Sequence, residues 1–273
     1  MTRPVTALVL AGTRPGPDPL LAGTGLSSKA LFQVGGRPML AHVLEALTES
    51  SRVGSIIVIA QDTRDLRKDT ALSAWAASVE WRDSSGSIAD AVEFQLRRVD
   101  APLFVTTADN VLLTADMIAQ FLDGAAGNDV AAGLVERRLV EAAGFSSART
   151  WLKFRGGNWS GANVFRLSGR KALPLVSFWR SLEQDRKKGM KIVGAMGPAL
   201  LLAAILRLID IHSFAARIGR RFSLSAKVVP MQAAEACIDA DKPADIPVIE
   251  AILKDRAARA DHSSPAAISR NTK

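Results

Sequence analysis

The stretch Val5–Leu40, reading VTALVLAGTRPGPDPLLAGTGLSSKALFQVGGRPML, constrains this chain more than any other. Val5 to Ala11 is a short apolar run with the content of a buried strand, and it stops at Gly12, where turn signals begin. A long loop follows, held open by Gly12, Gly16, Gly23, Gly25, Gly35 and Gly36 with Pro15, Pro17 and Pro19, while Arg14 and Lys29 supply positive charge. Pro38 sits where the first turn of a helix begins, and Met39, Val43, Leu44 and Leu47 recur at helical spacing. Such a loop, rich in backbone N–H groups and carrying an Arg and a Lys, suits the phosphates of a nucleotide.

Two familiar phosphate motifs fail on this stretch. Gly23 to Ala30 (GTGLSSKA) nearly spells a P-loop, but Ser28 replaces the second glycine and Ala30 stands where a hydroxyl must hold magnesium. Gly23 to Ser28 brushes the dinucleotide fingerprint, whose glycines must sit directly at the strand end, and here the strand has already ended well upstream. A third pattern fits: Leu10-Ala11-Gly12-Thr13-Arg14-Pro15-Gly16, then Lys29-Ala30-Leu31, then Gly36-Arg37-Pro38-Met39-Leu40. These segments, in this order, resemble the signature of the MobA-like nucleotidyltransferases. The chain departs from it at Thr13, where many members have a second glycine, and in a longer loop.

Further along, strand and helix patterns alternate. Ser55–Ala60, Val79–Trp81 and Pro102–Thr107 read as strands; a charged segment, Asp62–Asp69, leads a helix-like stretch to about Ala77. Ile88–Leu96 has helical spacing, and Thr114 is placed to cap a helix over Ala115–Leu122. This alternation predicts an α/β fold with a mostly parallel, twisted sheet and helices on both faces. Its ligand belongs beyond the carboxyl ends of the strands, where the loops after Leu10, Val79 and Thr107 meet. The resemblance implies a GT-A-type version of that architecture.

It also implies roles for motifs that are ambiguous by themselves. Ser84-Ser85-Gly86-Ser87 reads as an N-cap, and in the family the corresponding segment contacts base and ribose, so Gly86 and Ser87 join Leu10, Ala11, Gly12 and Thr13 as nucleotide-binding residues. Asp109, just past the Pro102–Thr107 strand, corresponds to the family's magnesium ligand. The closing run Ala236-Cys237-Ile238-Asp239-Ala240-Asp241-Lys242-Pro243-Ala244-Asp245-Ile246 matches the family's terminal element, and either Asp239 or Asp241 joins Asp109 on Mg2+ or Mn2+. Asp245 is placed to serve its own helix N-terminus. Gly161-Ala162-Asn163 resembles the element that contacts the second substrate. Lys153 and Arg155 alternate with Leu152 and Phe154 on a strand candidate, which directs both toward an acceptor.

Residues 180–222 read as an inserted basic and apolar helical hairpin. Arg186, Lys187, Lys188 and Lys191 precede Ala195–Leu206, and Arg207, Arg217, Arg220 and Arg221 follow. The apolar run is too short to span a bilayer; it reads as a core helical hairpin with solvated cationic ends, as a partner-binding flap, or, through those flanking cations, as a peripheral membrane contact over 187–221. The expected organisation is one domain over 1–255 and a disordered tail over 256–273.

With a net charge of +8 and a pI of about 10.1, the chain favours anionic partners. Nucleic acid is disfavoured, because the basic residues flank aliphatic runs without interleaved stacking aromatics. The single Cys237 excludes a disulfide framework, and the amino-terminal sequence lacks a signal-peptide layout, so a cytoplasmic protein, placed at the inner membrane surface if the hairpin meets lipid, is expected.

The resemblance implies metal-dependent transfer of a nucleoside monophosphate from an NTP, with CTP favoured, to a phosphorylated small molecule or lipid precursor, releasing pyrophosphate. Arg14 and Lys29 are its catalytic cations. His42, His212 and His262 fall outside the motifs, as suits an acceptor phosphate that is already ionised. The alternatives are a glycosyltransferase using an NDP-sugar on the same fold and a non-catalytic membrane-peripheral module.

Overall fold

Residues of β1 (Val5–Leu10) are buried on both sides of the sheet: Ala7 and Val9 enter one core, Leu8 and Leu10 the other. A strand apolar on both faces belongs in the middle of a layered α/β structure. The computed structural model describes residues 4–13, 16–99, 101–145, 149–184 and 197–263. After β1 come the short hairpin β2 (Gln33–Val34) and β3 (Arg37–Pro38), α1 (Met39–Glu49), β4 (Val53–Ala60), α2 (Arg64–Lys68), β5 (Val79–Asp83) and α3 (Ile88–Arg98). Then follow β6 (Leu103–Thr107), α4 (Ala115–Gly124), β7 (Val130–Glu136), α5 (Arg137–Ala142), β8 (Leu152–Phe154) and β9 (Gly157–Leu167). The chain closes through α6 (Leu173–Gln184), α7 (Pro198–Ile205), α8 (Ile211–Arg221), β10 (Ala226–Pro230) and α9 (Asp245–Ser263).

The large sheet runs β10-β7-β9-β6-β1-β4-β5, with β8 paired to β9. β1 is parallel to both β4 and β6, and β10 is parallel to β7, while β9 lies antiparallel between β6 and β7. One face is covered by Leu40, Val43, Leu44 and Leu47 of α1 with Met117, Ile118 and Phe121 of α4. The other is covered by Val92 and Leu96 of α3 with Val176 of α6. Leu44 and Leu47 are essentially inaccessible, and burial of a side chain of that size contributes about 1.5–3 kcal/mol. The strand order therefore reverses at β1, with the β1–β4–β5 branch on one side and β6 on the other, which opens a crevice at its carboxyl end.

Several expectations change in detail. The helix-like stretch to Ala77 is two pieces, α2 and a 3-10 turn over Thr70–Trp75. Thr114 does cap α4, its hydroxyl accepting from the Met117 amide at 3.2 Å. α9 continues past Arg256 to Ser263, where a tail was expected; its earlier turns are anchored by its own buried Ile249 and Ile252, and Arg256 donates to the Leu112 carbonyl at 3.0 Å. Of the expected hairpin, residues 185–196, with Arg186, Lys187, Lys188 and Lys191, lie outside the described residues, as do 264–273 of the tail. No described helix is long and apolar enough to cross a membrane.

β9 carries the irregularity that shapes the site. Between its pairs Phe165–Ala132 and Gly161–Leu134, three residues of β9 face the single Gly133 of β7. Asn163 sits in this bulge at φ 51°, a left-handed conformation that asparagine tolerates better than most residues. Gly133 is required opposite it: a Cβ there would lie 2.5 Å from Cγ2 of Val164.

Candidate active site

A cavity of about 320 Å³ opens at the carboxyl end of β1, lined among others by Gly12, Thr13, Lys29, Thr107, Asp109 and Asn163. Asp18, Asp239, Asp241 and Lys242 complete its charged rim. An adjoining hollow shares Leu10, Gly12 and Ile88 with it and extends over Gln61, Ser84, Gly86 and Ser87. The loops after β1, β5 and β6 thus converge as the alternating pattern required.

The first loop is held by its neighbours. The Ala11 amide donates to the Ile59 carbonyl at 2.8 Å. Gln61, just past β4, clamps the Thr13 peptide on both sides: its Oε1 accepts from the Thr13 amide at 3.0 Å and its Nε2 donates to the Thr13 carbonyl at 2.7 Å. Of the expected backbone donors over Ala11–Thr13, two are therefore engaged, and the Gly12 amide has no partner among the described residues. Gly12 also makes room for the clamp, since a Cβ would lie 2.8 Å from Oε1 of Gln61. Arg14 lies outside the described residues.

Lys29 reaches the crevice from a 3-10 turn, Lys29–Leu31, that buries Ala30 and Leu31 and is capped by the Ser28 hydroxyl. Its ammonium donates to Oδ2 of Asp109 at 2.9 Å and to Oδ1 of Asp241 at 3.1 Å. Burial alone would lower the pKa of this amine, but the two carboxylates more than offset it, and the net position is above the ordinary lysine value. Lys29 is therefore a permanent cation at the site.

Asp109 is fixed by the turn after β6. The Ala108 amide donates to the Leu10 carbonyl at 3.0 Å, and buried Asn110 donates from Nδ2 to the Ala162 carbonyl at 3.1 Å and to Thr106 Oγ1 at 3.2 Å. The closing segment is fastened to the same turn through the Ala240 amide and the Asp109 carbonyl, 3.0 Å apart. Oδ1 of Asp109 and Oγ1 of Thr107 are both buried without a hydrogen-bond partner, a debt that a bound cation or ligand group would relieve.

Asp239 and Asp241 have different surroundings. One Asp239 oxygen accepts from Arg149 and the other from Nδ2 of Asn163 at 2.8 Å, and Arg149 also donates to the Asp239 carbonyl at 3.2 Å. Asp241 instead meets Lys29 and is largely open to solvent. Asp245, expected to serve its own helix N-terminus, instead accepts from the Asp241 and Lys242 amides of the preceding loop at 3.2 and 2.8 Å, which fastens that loop to the start of α9. Among the described residues, no group of three metal-ligating side chains is assembled by the protein alone.

Gly86 and Ser87 line the adjoining hollow, but their chemistry is partly spent on α3. Ser87 caps the helix in a reciprocal box: its amide donates to Oδ2 of Asp90 at 2.8 Å, and its Oγ accepts from the Asp90 amide at 3.2 Å. A Cβ on Gly86 would lie 2.6 Å from that of Asp90. Asn163 lines the cavity, whereas Gly161, Lys153 and Arg155 are not among its lining residues. The reason is local: the bulge turns Asn163 inward, and Arg155 is drawn to Asp210 at 3.5 Å, with its amide on the Ile209 carbonyl. Gln61, Asp18, Arg149 and Lys242 escaped the sequence reading. Only Gln61 carried a signal, as a polar residue immediately after a buried strand that ends at the crevice.

Residues 7–176 match the MobA-like NTP transferase domain. Among solved structures, a hypothetical transferase from Thermus thermophilus is similar at 27% identity and a TM-score of 0.74, covering 90% of this chain and 100% of that one. CMP:2-keto-3-deoxy-manno-octonic acid synthetase complexed with CTP is similar at 12% identity and a TM-score of 0.59, covering 93% of this chain and 100% of that one. The 4-diphosphocytidyl-2C-methyl-D-erythritol synthase of Anaerococcus prevotii is similar at 12% identity and a TM-score of 0.58, covering 92% and 96%. These last two likenesses are of fold alone. No curated protein matches the sequence. With the domain match spanning most of the sheet and the loop that carries Gly12 and Lys29, the chain belongs to the MobA-like NTP transferase family.

Proposed function

We propose that the protein transfers a nucleoside monophosphate from an NTP, CTP by preference, to a phosphorylated acceptor and releases pyrophosphate. The observation that carries this reading is Lys29, a half-buried ammonium held between Asp109 and Asp241 at the mouth of a loop whose Gly12 amide has no partner among the described residues. CTP is favoured because one fold relative was solved as a complex with CTP.

An oxygen of the acceptor phosphate attacks the α-phosphorus, the bond to the bridging β-oxygen breaks, and pyrophosphate departs with the electron pair. Lys29 stabilises the charge that builds on the phosphate oxygens, the Gly12 amide donates to the same chain, and Arg14 adds a second cation. No general base is required, because the attacking phosphate is already ionised. Asn163 and Lys242, both on the cavity wall, are the acceptor contacts that the geometry favours; Lys242 has no ion-pair partner among the described residues.

The lining also bears on a metal. It carries four carboxylates, Asp18, Asp109, Asp239 and Asp241, against two ammonium groups, Lys29 and Lys242. A triphosphate does not enter such a surface without added positive charge. Hard oxygen donors, with a buried and unpartnered Asp109 Oδ1, fit Mg2+ or Mn2+. Asp109 and Asp241 would hold the ion, since both oxygens of Asp239 already accept from Arg149 and Asn163. When bound it would neutralise phosphate oxygens.

The test is pyrophosphate release with each of the four NTPs, with magnesium, against a panel of phosphorylated alcohols and sugars. Pyrophosphate formed in proportion to acceptor consumed supports the reading. Sugar transfer from an NDP-sugar without pyrophosphate would overturn it.

A further inference from the structure

α7, with sequence PALLLAAI, is apolar on every side, yet only Leu200 in it is buried. Leu202, Ile205, Leu206 and Leu208 are 56%, 74%, 55% and 61% exposed, the densest run of open aliphatic side chains among the described residues. A helix apolar all round belongs either in a core or in a lipid phase. α8 differs: its apolar side is used, with Phe214 against Phe154 and Ile211 packed with Trp159 and Val228. What α8 leaves outside is basic.

The two helices meet in a hollow of about 390 Å³ floored by Ala199 and Leu200 and walled by Arg217, Arg220 and Arg221. Arg207, Arg217 and Arg220 are exposed and have no ion-pair partner among the described residues, and neither has Lys153 on β8, the strand that α7 packs against. Between Gly197 and Phe222 there are four arginines and one acid, Asp210, which is committed to Arg155 and to capping α8. Three guanidinium groups around an apolar floor, beside a strip of open leucine and isoleucine, combine the two chemistries of one ligand: a phosphate head and a hydrocarbon tail.

We propose that α7 and α8 seat the protein on an anionic bilayer, with Leu202, Ile205, Leu206 and Leu208 among the acyl chains and the arginine hollow on a lipid phosphate. A protein partner of ordinary interface composition would not need the exposed Arg207, Arg217 and Arg220, which have no ion-pair partner among the described residues, with almost no acid beside them. The contact deepens the proposed function, on which this refinement rests, by making a lipid-borne phosphate the acceptor presented to the site. α7 packs on β8, β8 pairs with β9, and β9 carries Asn163 into the cavity.

The experiment is co-sedimentation of the full chain with vesicles of phosphatidylcholine alone and of phosphatidylcholine with roughly 30% phosphatidylglycerol, at low and high salt. Binding is expected only with the anionic vesicles, weakening as salt rises. The triple change Leu202→Ser, Ile205→Ser, Leu206→Ser should reduce it about tenfold or more, as should Arg217→Glu with Arg220→Glu. All these positions are exposed, and circular dichroism checks that each variant is folded. No binding to anionic vesicles, or binding indifferent to both sets, overturns the proposal. So does concentration-dependent dimerisation that the serine variant abolishes without any vesicle binding, which would make a second copy the occupant. Pyrophosphate release from water-soluble acceptors is read separately, so failure of the membrane contact is distinguishable from failure of the transferase reading.

Discussion

Replacing Lys29 with alanine removes the cation on which the proposed chemistry depends. The ammonium is 14% exposed and its partners Asp109 and Asp241 are 20% and 58% exposed, so the first pair is shielded from water and the second is screened. Loss of a preorganised donor to a developing phosphate charge costs about a hundredfold to a thousandfold in turnover. Leaving Asp109 without its cation costs stability as well, about 1–3 kcal/mol for a half-buried charged partner. The same interaction sets a pH window. Because the Lys29 pKa is raised above its ordinary 10.5, its contribution is complete below the unfolded value and is lost as pH rises through the folded one. The difference in melting temperature between wild type and Lys29→Ala should therefore be constant near neutrality and narrow in strong alkali. Turnover is measured by pyrophosphate release with the NTP and acceptor that the wild type uses, on protein shown to be folded by its near-ultraviolet dichroism. Turnover of a folded Lys29→Ala variant within about threefold of wild type, a difference of well under 1 kcal/mol in barrier, would refute the assignment.

Three further expectations concern the scaffold around the site. Gly12→Ala must displace the Gln61 amide that clamps Thr13, so Gly12→Ala and Gln61→Ala should each weaken NTP binding, and the double variant should fall short of their sum by about 0.5 kcal/mol or more in a thermal-shift titration. Gly133→Ala presses a methyl into Val164 beneath the β9 bulge and is expected to cost about 1–3 kcal/mol in denaturant unfolding. Asp129, whose carboxyl is lowered to about 2 by the Ser225 amide and Lys171, holds the start of β7 to the strand that follows Ser225. Its folded pKa is depressed, so Asp129→Asn should cost about 1–2 kcal/mol above pH 4, and that penalty should disappear as pH falls toward 2; a penalty unchanged at pH 2 would contradict the linkage.

How much of this was readable beforehand differs from residue to residue. β1, β4 and β6 are legible because each carries a run of consecutive apolar residues, buried on both faces: Ala7–Leu10, Ile56–Ala60 and Leu103–Val105. Their parallel pairing followed from the helices between them, and with it the position of the crevice. Lys29 and Asp109 stood in a recognisable order and meet at 2.9 Å. Lys153 and Arg155 misled, because alternation along β8 says only that two side chains share a face, not whether that face looks into the cavity. Arg149 gave no warning at all: an arginine in an irregular segment becomes meaningful only when the closing loop brings Asp239 beside it. The Gly133 and Asn163 pairing was equally hidden, since a bulge depends on two strands and is written in neither alone. The end of α9 was hidden because the residues beyond Arg256 are polar and alanine-rich, with no apolar side to mark them as helix.

The hydrogen bond from the Ala240 amide to the Asp109 carbonyl has a consequence for the order in which the molecule becomes competent. The glycine loop and the β6 turn precede the closing segment in the chain, and Lys29 meets its second acid only when Asp241 arrives with that segment. Chains released before Ile238 would present the nucleotide loop without its closing wall. The paired charges around Lys29 therefore exist only once the closing segment has docked on the β6 turn.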